Sequence, residues 1–138
     1  MPIQNPDTPI RAALVTQLGA ATGLSVWEER TPMDQTIPQK YIILTSQSKT
    51  VTERSKTCFE WLASINIDIW NVFQLGYGSN VAIDTIEEQC INAMESLTIA
   101  GWNVKRQLMI DSQSLPIDTL TTTLRRKVLI YNIWIWQT

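Results

Sequence analysis

The sequence predicts an α+β fold in which two helices pack on one face of a mainly antiparallel sheet. Two segments keep the apolar spacing of a helix, and five others read as strands, in the order α-β-β-β-α-β-β. The strands follow one another through turns, which favours antiparallel pairing. The length of 138 residues and a hydrophobic content of 44% fit one domain over residues 1–138. Residues 1–7 are polar with two prolines and are predicted to form a flexible arm.

The first helix is predicted to start with Thr8 as N-cap and Pro9 as its first helical residue, and to stop at Gly23. The second is predicted over Val81–Leu97, after the turn sequence GYGS. Its apolar residues form one stripe, with acidic residues off that stripe. The pattern is typical of helices that cover a sheet.

Five strands are predicted from apolar runs or two-residue alternation. Their ranges are Leu24–Glu29, Tyr41–Thr45, Cys58–Phe73, Trp102–Ile110 and Thr121–Trp136. The stretches between them are predicted as loops: Thr31–Gln39 with its prolines, the polar SQSKTVTERS, and Asp111–Asp118.

Strand length indicates an extended hairpin. A straight strand from Phe59 to Phe73 would span about 50 Å at ~3.3 Å per residue, whereas a globule of this size is roughly 37 Å across. The strand therefore bends, carries a bulge, or runs past the body of the domain. In the last case SQSKTVTERS is the tip of a projecting hairpin that carries Lys49, Arg54 and Lys56. The alternative is a surface loop without a role.

The last strand is apolar on both faces. Leu129, Tyr131, Ile133 and Ile135 lie on one face, and the other face carries Val128, Ile130, Trp134 and Trp136. Two helices cover only one side of a sheet, so the second apolar face needs another cover. The hypothesis is that Val128, Ile130, Trp134 and Trp136 form an oligomer interface. The alternative is a sheet that curls upon itself, with both faces in the core.

The residues give little support to catalysis, and no cofactor or metal is predicted. The chain has no histidine, the commonest general base and metal ligand. Asp84, Glu87 and Glu88 are interpreted as complementing a helix dipole. Asp68, between two isoleucines, is expected on a polar face or paired across strands. The cysteines Cys58 and Cys90 lack CxxC spacing and are interpreted as buried thiols rather than a disulfide.

Charge and hydropathy argue against nucleic acid and membranes as partners. The net charge of −2 and the scattered lysines and arginines show no stripe for nucleic acid. Arg125, Arg126 and Lys127 are the densest basic run, but alternation along a strand would send them to different faces. The sequence has no signal peptide pattern and no apolar run of ~20 residues. Assembly in a cytosol, without a membrane partner, is therefore expected.

The order and texture of the segments resemble those of the tail terminator (tail completion) proteins of long-tailed bacteriophages, including minor tail proteins of the gpU type. The shared features run over about residues 9–136. They are the helix PIRAALVTQL, the strand SVWEE with a proline-containing loop, KYIILTSQS, the strand INIDIWNVF, the helix AIDTIEEQCINAMESL and a closing hairpin that ends in YNIWIWQ.

This resemblance implies a structural virion protein that forms a ring, commonly a hexamer, at the head-proximal end of the tail tube. The ring would end tube polymerisation and provide the surface for head–tail joining. Its partners would be other copies of itself, the tail tube protein and a head–tail connector or neck protein, with DNA only passing through the lumen. At the hairpin tip, Lys49, Arg54 and Lys56 would contact a neighbouring copy or the tail tube. The location would be the virion, assembled in the host bacterial cytoplasm.

Two alternatives stay open. A head-completion or neck connector protein belongs to the same class and binds the portal side. A small dimeric ferredoxin-like ligand-binding domain belongs to another class and would need a pocket with convergent polar groups.

Overall fold

The computed structural model describes residues 3–28, 37–54, 59–74, 80–118 and 122–137. It has two helices and five strands in the predicted order, α-β-β-β-α-β-β. Their bounds are α1 Asp7–Thr22, β1 Val26–Glu28, β2 Lys40–Arg54, β3 Phe59–Gln74, α2 Val81–Glu95, β4 Trp102–Asp118 and β5 Thr122–Gln137. The predicted α+β class is confirmed.

Helix α1 starts two residues earlier than its sequence predicts, at Asp7 rather than Pro9. Pro6 is the N-cap, and the backbone N–H of Ile10 donates to its carbonyl at 3.0 Å. The predicted cap at Thr8 is therefore wrong, because Thr8 already lies inside the helix. The end at Gly23 is confirmed: Gly23 has φ +70°, and its N–H donates to the carbonyl of Gly19 at 2.8 Å. A left-handed glycine closes helices in this way because it has no Cβ to clash.

The sheet has the strand order β1-β2-β3-β5-β4. Strand β5 inserts between β3 and β4, and every pair is antiparallel except β1 with β2. Two long hairpins result. β2–β3 pairs from Lys40 with Asn71 to Arg54 with Phe59, and β4–β5 pairs from Trp102 with Gln137 to Asp118 with Thr123. Their connections lie at opposite ends of the sheet.

Strands β2 and β4 extend well beyond their predicted ends. β2 continues through the polar residues Ser46–Arg54, and β4 continues through Asp111–Asp118. Both segments were expected to be loops because they lack apolar alternation. Apart from register shifts, β2 pairs along this segment with β3 and β4 with β5, and backbone hydrogen bonds across the ladder do not require apolar side chains. Register shifts mark two bulges in β4, at Val104/Arg106 and Met109/Asp111.

The core lies between the helices and one face of the sheet. Ile10, Leu14 and Leu18 of α1 and Ile83, Ile86, Cys90 and Met94 of α2 are buried there. The sheet contributes alternate residues, among them Ile65, Ile67 and Ile69 of β3 and Leu129, Ile133 and Ile135 of β5. Both helices therefore cover the same face, as the sequence predicts, and the opposite sheet face is left to other contacts.

Candidate assembly surfaces

The sheet face away from the helices, here called the outer face, carries the four residues predicted as an interface. Val128, Ile130, Trp134 and Trp136 alternate along β5 with the core residues, as the sequence predicts. Cross-strand partners on β3 share the outer face: Asp68 lies beside Val128, and Leu62 lies beside Trp134. Val128 is buried, whereas Ile130, Trp134 and Trp136 are half-buried. The outer face thus holds an apolar strip that is partly open to solvent.

Cationic side chains lie over the tryptophans of the outer face. The guanidinium carbon of Arg106 is 4.6 Å from the ring centroid of Trp134. The ammonium of Lys105 is 5.7 Å from the centroid of Trp136. Such contacts attract a cation to the negative face of the ring, with an energy of about 0.5–1 kcal/mol at exposed sites. These two cations shield part of the apolar strip from water.

Glu60 holds Lys105 in its position over Trp136. Its side chain is buried, the ammonium of Lys105 lies 3.0 Å from Oε2, and the hydroxyl of Thr52 donates to Oε1 at 2.7 Å. The hydrogen bonds from Thr52 and Lys105 hold the pKa of Glu60 below its ordinary value, against the opposing effect of burial. The carboxylate is therefore charged at neutral pH and fixes Lys105 beside the sheet.

Asp68 is fully buried on the outer face and is paired across strands, as its sequence position between two isoleucines predicts. The guanidinium of Arg126 donates to both of its carboxylate oxygens, at 2.6–3.0 Å. The pKa of Arg126 is raised, chiefly by this hydrogen bonding, although burial opposes the shift. Arg126 also lies 4.7 Å from the ring centroid of Trp70, which stacks on Tyr41 at 6.0 Å. The Asp68–Arg126 ion pair and the rings of Trp70 and Tyr41 thus form one contiguous cluster.

The predicted hairpin cations do not lie together. Lys49 sits within β2, on the helix side, where its ammonium is 2.6 Å from Asp7 Oδ2 and 5.5 Å from the ring centroid of Trp61. Arg54 ends β2, with its guanidinium 6.0 Å from the ring of Phe59. Lys56 lies outside the described residues. Lys49 therefore ties the start of α1 to the sheet, and a role in contacting a neighbour remains a prediction.

The basic run 125–127 splits between the two faces, as alternation predicts. Arg126 turns to Asp68 on the outer face, and Lys127 turns to α2, where its ammonium is 2.6 Å from Asp84 and 3.5 Å from Glu87. Asp84 and Glu87, two of the three neighbouring carboxylates of α2, thus connect the helix to β5. Among the described residues no group of three or more histidine, cysteine, aspartate or glutamate side chains could hold a metal ion.

Sequence reasoning missed the exposed apolar residues of β4. Leu108, Met109 and Ile110 are 40%, 37% and 52% exposed, and Ile117 is 40% exposed. The three consecutive apolar residues LMI could have indicated an exposed apolar surface. The prediction that the strand ends at Ile110 conceals it, because these residues then lie beside a turn. Because β4 continues and forms an edge of the described sheet, these side chains flank an open strand rather than a turn.

A shallow hollow beside α1 is the kind of feature that a ligand-binding domain would use. It has a volume of about 350 Å³. Its lining consists of small or polar uncharged residues: Pro9, Ala12, Ala13, Thr16, Gln17, Thr98 and Ala100. It therefore offers no convergent charged groups to orient a small ligand. Within the described ranges no helix is long and apolar enough to cross a membrane.

The comparison with solved structures reveals a similar chain. A chain of the virion of a native gene transfer agent (GTA) particle aligns with this one at a TM-score of 0.73, covering 97% of this chain and 99% of that chain. The two chains share one fold. Their sequence identity is 13%, so the likeness is one of architecture. No family model matches the sequence, and no curated protein matches it.

Proposed function

We propose that this chain is a structural virion protein that forms a ring at the head-proximal end of a phage tail tube. The ring ends tail polymerisation and provides the surface for head–tail joining. The observation that carries the proposal is the end-to-end likeness to a chain of a gene transfer agent virion, with 97% and 99% of the two chains covered. The order and texture of the sequence segments, which resemble those of tail terminators, support the specific position.

The outer face supports assembly with further copies. A closed ring uses two different surfaces of each subunit, joined head to tail. Trp134 and Trp136 present half-buried rings there, and Val128 lies on the same face further along β5, beside the fully buried Asp68. Aromatic residues of this kind anchor protein contacts because they bury a large area with few rotatable bonds. We assign Val128, Ile130, Trp134 and Trp136 to the contact between subunits.

The cations Lys49, Arg54 and Lys56 are proposed to contact a neighbouring copy or the tail tube from the β2–β3 end of the sheet. Arg54 lies at the end of β2, 6.0 Å from the ring of Phe59, and supports this placement. A head–tail connector would bind the opposite side of the ring, and DNA would only pass through the lumen. The net charge of −2 fits weak adhesion to DNA. Such a protein is a virion component that assembles in the host bacterial cytoplasm and has no enzymatic role.

The decisive experiment locates the chain on particles. Purified protein is added to tails that lack their terminator, and gold-labelled antibody is followed by electron microscopy. Label at the head-proximal end of tails of uniform length is the expected result. Label on the portal side of heads would instead indicate a head-completion protein, which the likeness to a virion chain also allows. Tails that keep growing in the presence of the protein would contradict the proposal.

A matched pair of variants tests the interface assignment. Trp134→Ala removes the ring that lies against Arg106, and is expected to abolish hexamers in native mass spectrometry while the domain stays folded. Val81→Ala shortens an apolar side chain of α2 that is 73% exposed and lies away from the outer face, and is expected to leave the oligomer unchanged. A folded Trp134→Ala protein that still caps tails would overturn the assignment. Charge reversal at Lys49, Arg54 and Lys56 without loss of tail joining would overturn the second one.

A further inference from the structure

The described sheet has two open edges. On one side β1 pairs only with Ile42–Leu44. The segment Thr45–Arg54 of β2, here called the β2 edge, therefore pairs with β3 on its inner side but has no strand partner on its outer side among the described residues. At the opposite side of the sheet β4, Trp102–Asp118, pairs only with β5. Its outer side, here called the β4 edge, has no strand partner among the described residues. An open edge presents unpaired N–H and C=O groups that can bind another strand.

The register shows which backbone groups of β2 point outward. The N–H of Ile42 donates to the carbonyl of Ser25 at 3.0 Å, so Ile42 faces away from β3. In an antiparallel ladder this orientation alternates along the pairs. Ile42 pairs with Ile69, and the residues paired with Ile65, Ala63 and Trp61 share its orientation. The outward residues of the β2 edge are therefore Gln47, Lys49 and Val51.

The same alternation carries across β3 and β5 to β4. The outward residues of β4 are those that pair with Ile133, Tyr131, Leu129, Lys127 and Arg125. They are Gln107, Met109, Ser112, Ser114 and Pro116. Pro116 checks the assignment independently, because proline has no N–H and is tolerated in a strand where its nitrogen faces an open edge.

The outward groups of the two edges lie at matching levels. Two residues are called level when a row of cross-strand pairs connects them. Lys49 pairs with Ala63, Ala63 pairs with Ile133, and Ile133 pairs with Gln107, so Lys49 is level with Gln107. Gln47 is likewise level with Met109 through Ile65 and Tyr131. Three antiparallel steps separate β2 from β4, so the two edges run in opposite directions. A second copy placed beside the first in the same orientation would therefore present its β4 antiparallel to β2.

The stretch Gln107–Ile110 in the middle of the β4 edge carries no charged side chain, and the exposed Asp111 follows it. Lys105 and Arg106 fold onto Trp136 and Trp134 of the outer face, and Leu108, Met109 and Ile110 are exposed beside the edge. Proteins usually protect long edges with charges or prolines. Here Pro116 removes a donor only toward the far end, beyond the stretch that is level with the β2 edge.

We propose that copies of this chain join by antiparallel pairing of the β4 edge of one copy with the β2 edge of the next, so that the sheet continues from subunit to subunit. The contact is head to tail, as a closed ring requires. The inference rests on the proposed ring function and names the backbone contact that would hold it together, in addition to the side chains of the outer face.

Disulfide trapping tests the pairing. Ser48 and Leu108 are exposed and level with each other, through Ser64 and Asn132. Their backbone groups face inward, so across the contact they would form a non-hydrogen-bonded pair with Cα atoms about 4.5 Å apart, within disulfide reach. The variant Ser48→Cys/Leu108→Cys is made in a Cys58→Ser background and oxidised.

The expected result is a ladder of covalent oligomers on a non-reducing gel that ends at the ring size. A mixture of the two single variants should give dimers only, because each copy then carries one introduced cysteine and the remaining Cys90 is buried. The control Ser48→Cys/Ile117→Cys places the second thiol on another exposed residue of β4, nine positions further on, and should give no ladder.

Three results would separate the possibilities. Cross-linking of Leu108→Cys alone would show a two-fold β4–β4 contact and overturn the proposal. Oligomers in native mass spectrometry without the Ser48–Leu108 link would overturn the edge pairing but leave the ring function standing. A full ladder from a protein that fails to label tail ends would support the edge pairing and overturn the proposed function.

Discussion

The guanidinium of Arg126 reaches diagonally from β5 to β3 and donates to both carboxylate oxygens of Asp68, whose side chain is fully buried. Arg126 keeps 28% of its side chain exposed and lies over the ring of Trp70. A buried carboxylate of this kind depends on one partner for its charge.

Replacing Arg126 by methionine should therefore destabilise the domain by about 3 kcal/mol, because Asp68 is left buried without its counter-charge. Urea unfolding measures the difference. The double variant Asp68→Val/Arg126→Met should recover much of the loss, since both charged groups are then replaced by apolar ones. Equal stability of the single and double variants would show that the ion pair does not determine this loss.

The stability of the domain should fall in acid partly through Glu60. Its pKa is lowered in the folded protein by hydrogen bonds from Thr52 and Lys105. A group with a depressed folded pKa stabilises the fold above its unfolded pKa, near ~4.3, and loses this contribution as the pH falls through the folded value. Between about pH 5 and pH 3, Glu60→Gln should therefore show a shallower decline of the unfolding free energy than the wild type.

Urea titrations at several pH values check this expectation. Thr52→Val removes the larger of the two causes and should give an intermediate slope, while it leaves the carboxylate in place. Identical slopes for the wild type and Glu60→Gln would contradict the assigned role of Glu60.

The thiol of Cys90 should resist modification in the folded protein. Burial, with a smaller effect of the charge on Glu87, raises its pKa to about 12. At pH 8 only about one molecule in 10⁴ would carry the reactive thiolate. In a Cys58→Ser background, labelling by an aromatic disulfide reagent should follow the rate of unfolding and speed up in denaturant. Complete labelling of the native protein within minutes would contradict the burial of Cys90.

Two glycines of α1 should respond oppositely to alanine. Gly23 has φ +70°, a conformation that costs an L-residue about 1 kcal/mol, so Gly23→Ala should lower the melting temperature. Gly19 lies within the helix, where an added Cβ would meet the carbonyl oxygen of Leu24 at an ordinary 3.6 Å. Gly19→Ala should raise stability by about 0.5–1 kcal/mol. Shifts of the same sign in calorimetry would contradict this account.

Periodicity predicted most of the fold. The alternation in INIDIWNVF and YNIWIWQ assigned each residue of β3 and β5 to a face, and the structure places them there. Periodicity did not predict the strands at Ser46–Arg54 and Asp111–Asp118, because their side chains are mostly polar and do not alternate. Their extended conformation is stabilised by hydrogen bonds to β3 and β5, and no side-chain pattern within the segments reports those partners.

The candidate surfaces could also be predicted from the sequence only in part. Trp134 and Trp136 could be placed on a second apolar face from their spacing alone. The position of Lys105 and Arg106 over their rings could not, because it depends on the bulge between Val104 and Arg106 that resets the alternation of β4.

The sequence by itself determined the helices, the α+β class and the two apolar faces of β5, because these follow from the spacing of side chains along one chain. Only the tertiary structure decided that β5 lies between β3 and β4 and that Asp68 meets Arg126. It also decided that part of β2 and all of β4 have an open side within the described residues. These relations join residues that are distant in the sequence, and hydrogen bonds between strands, rather than local periodicity, fix them.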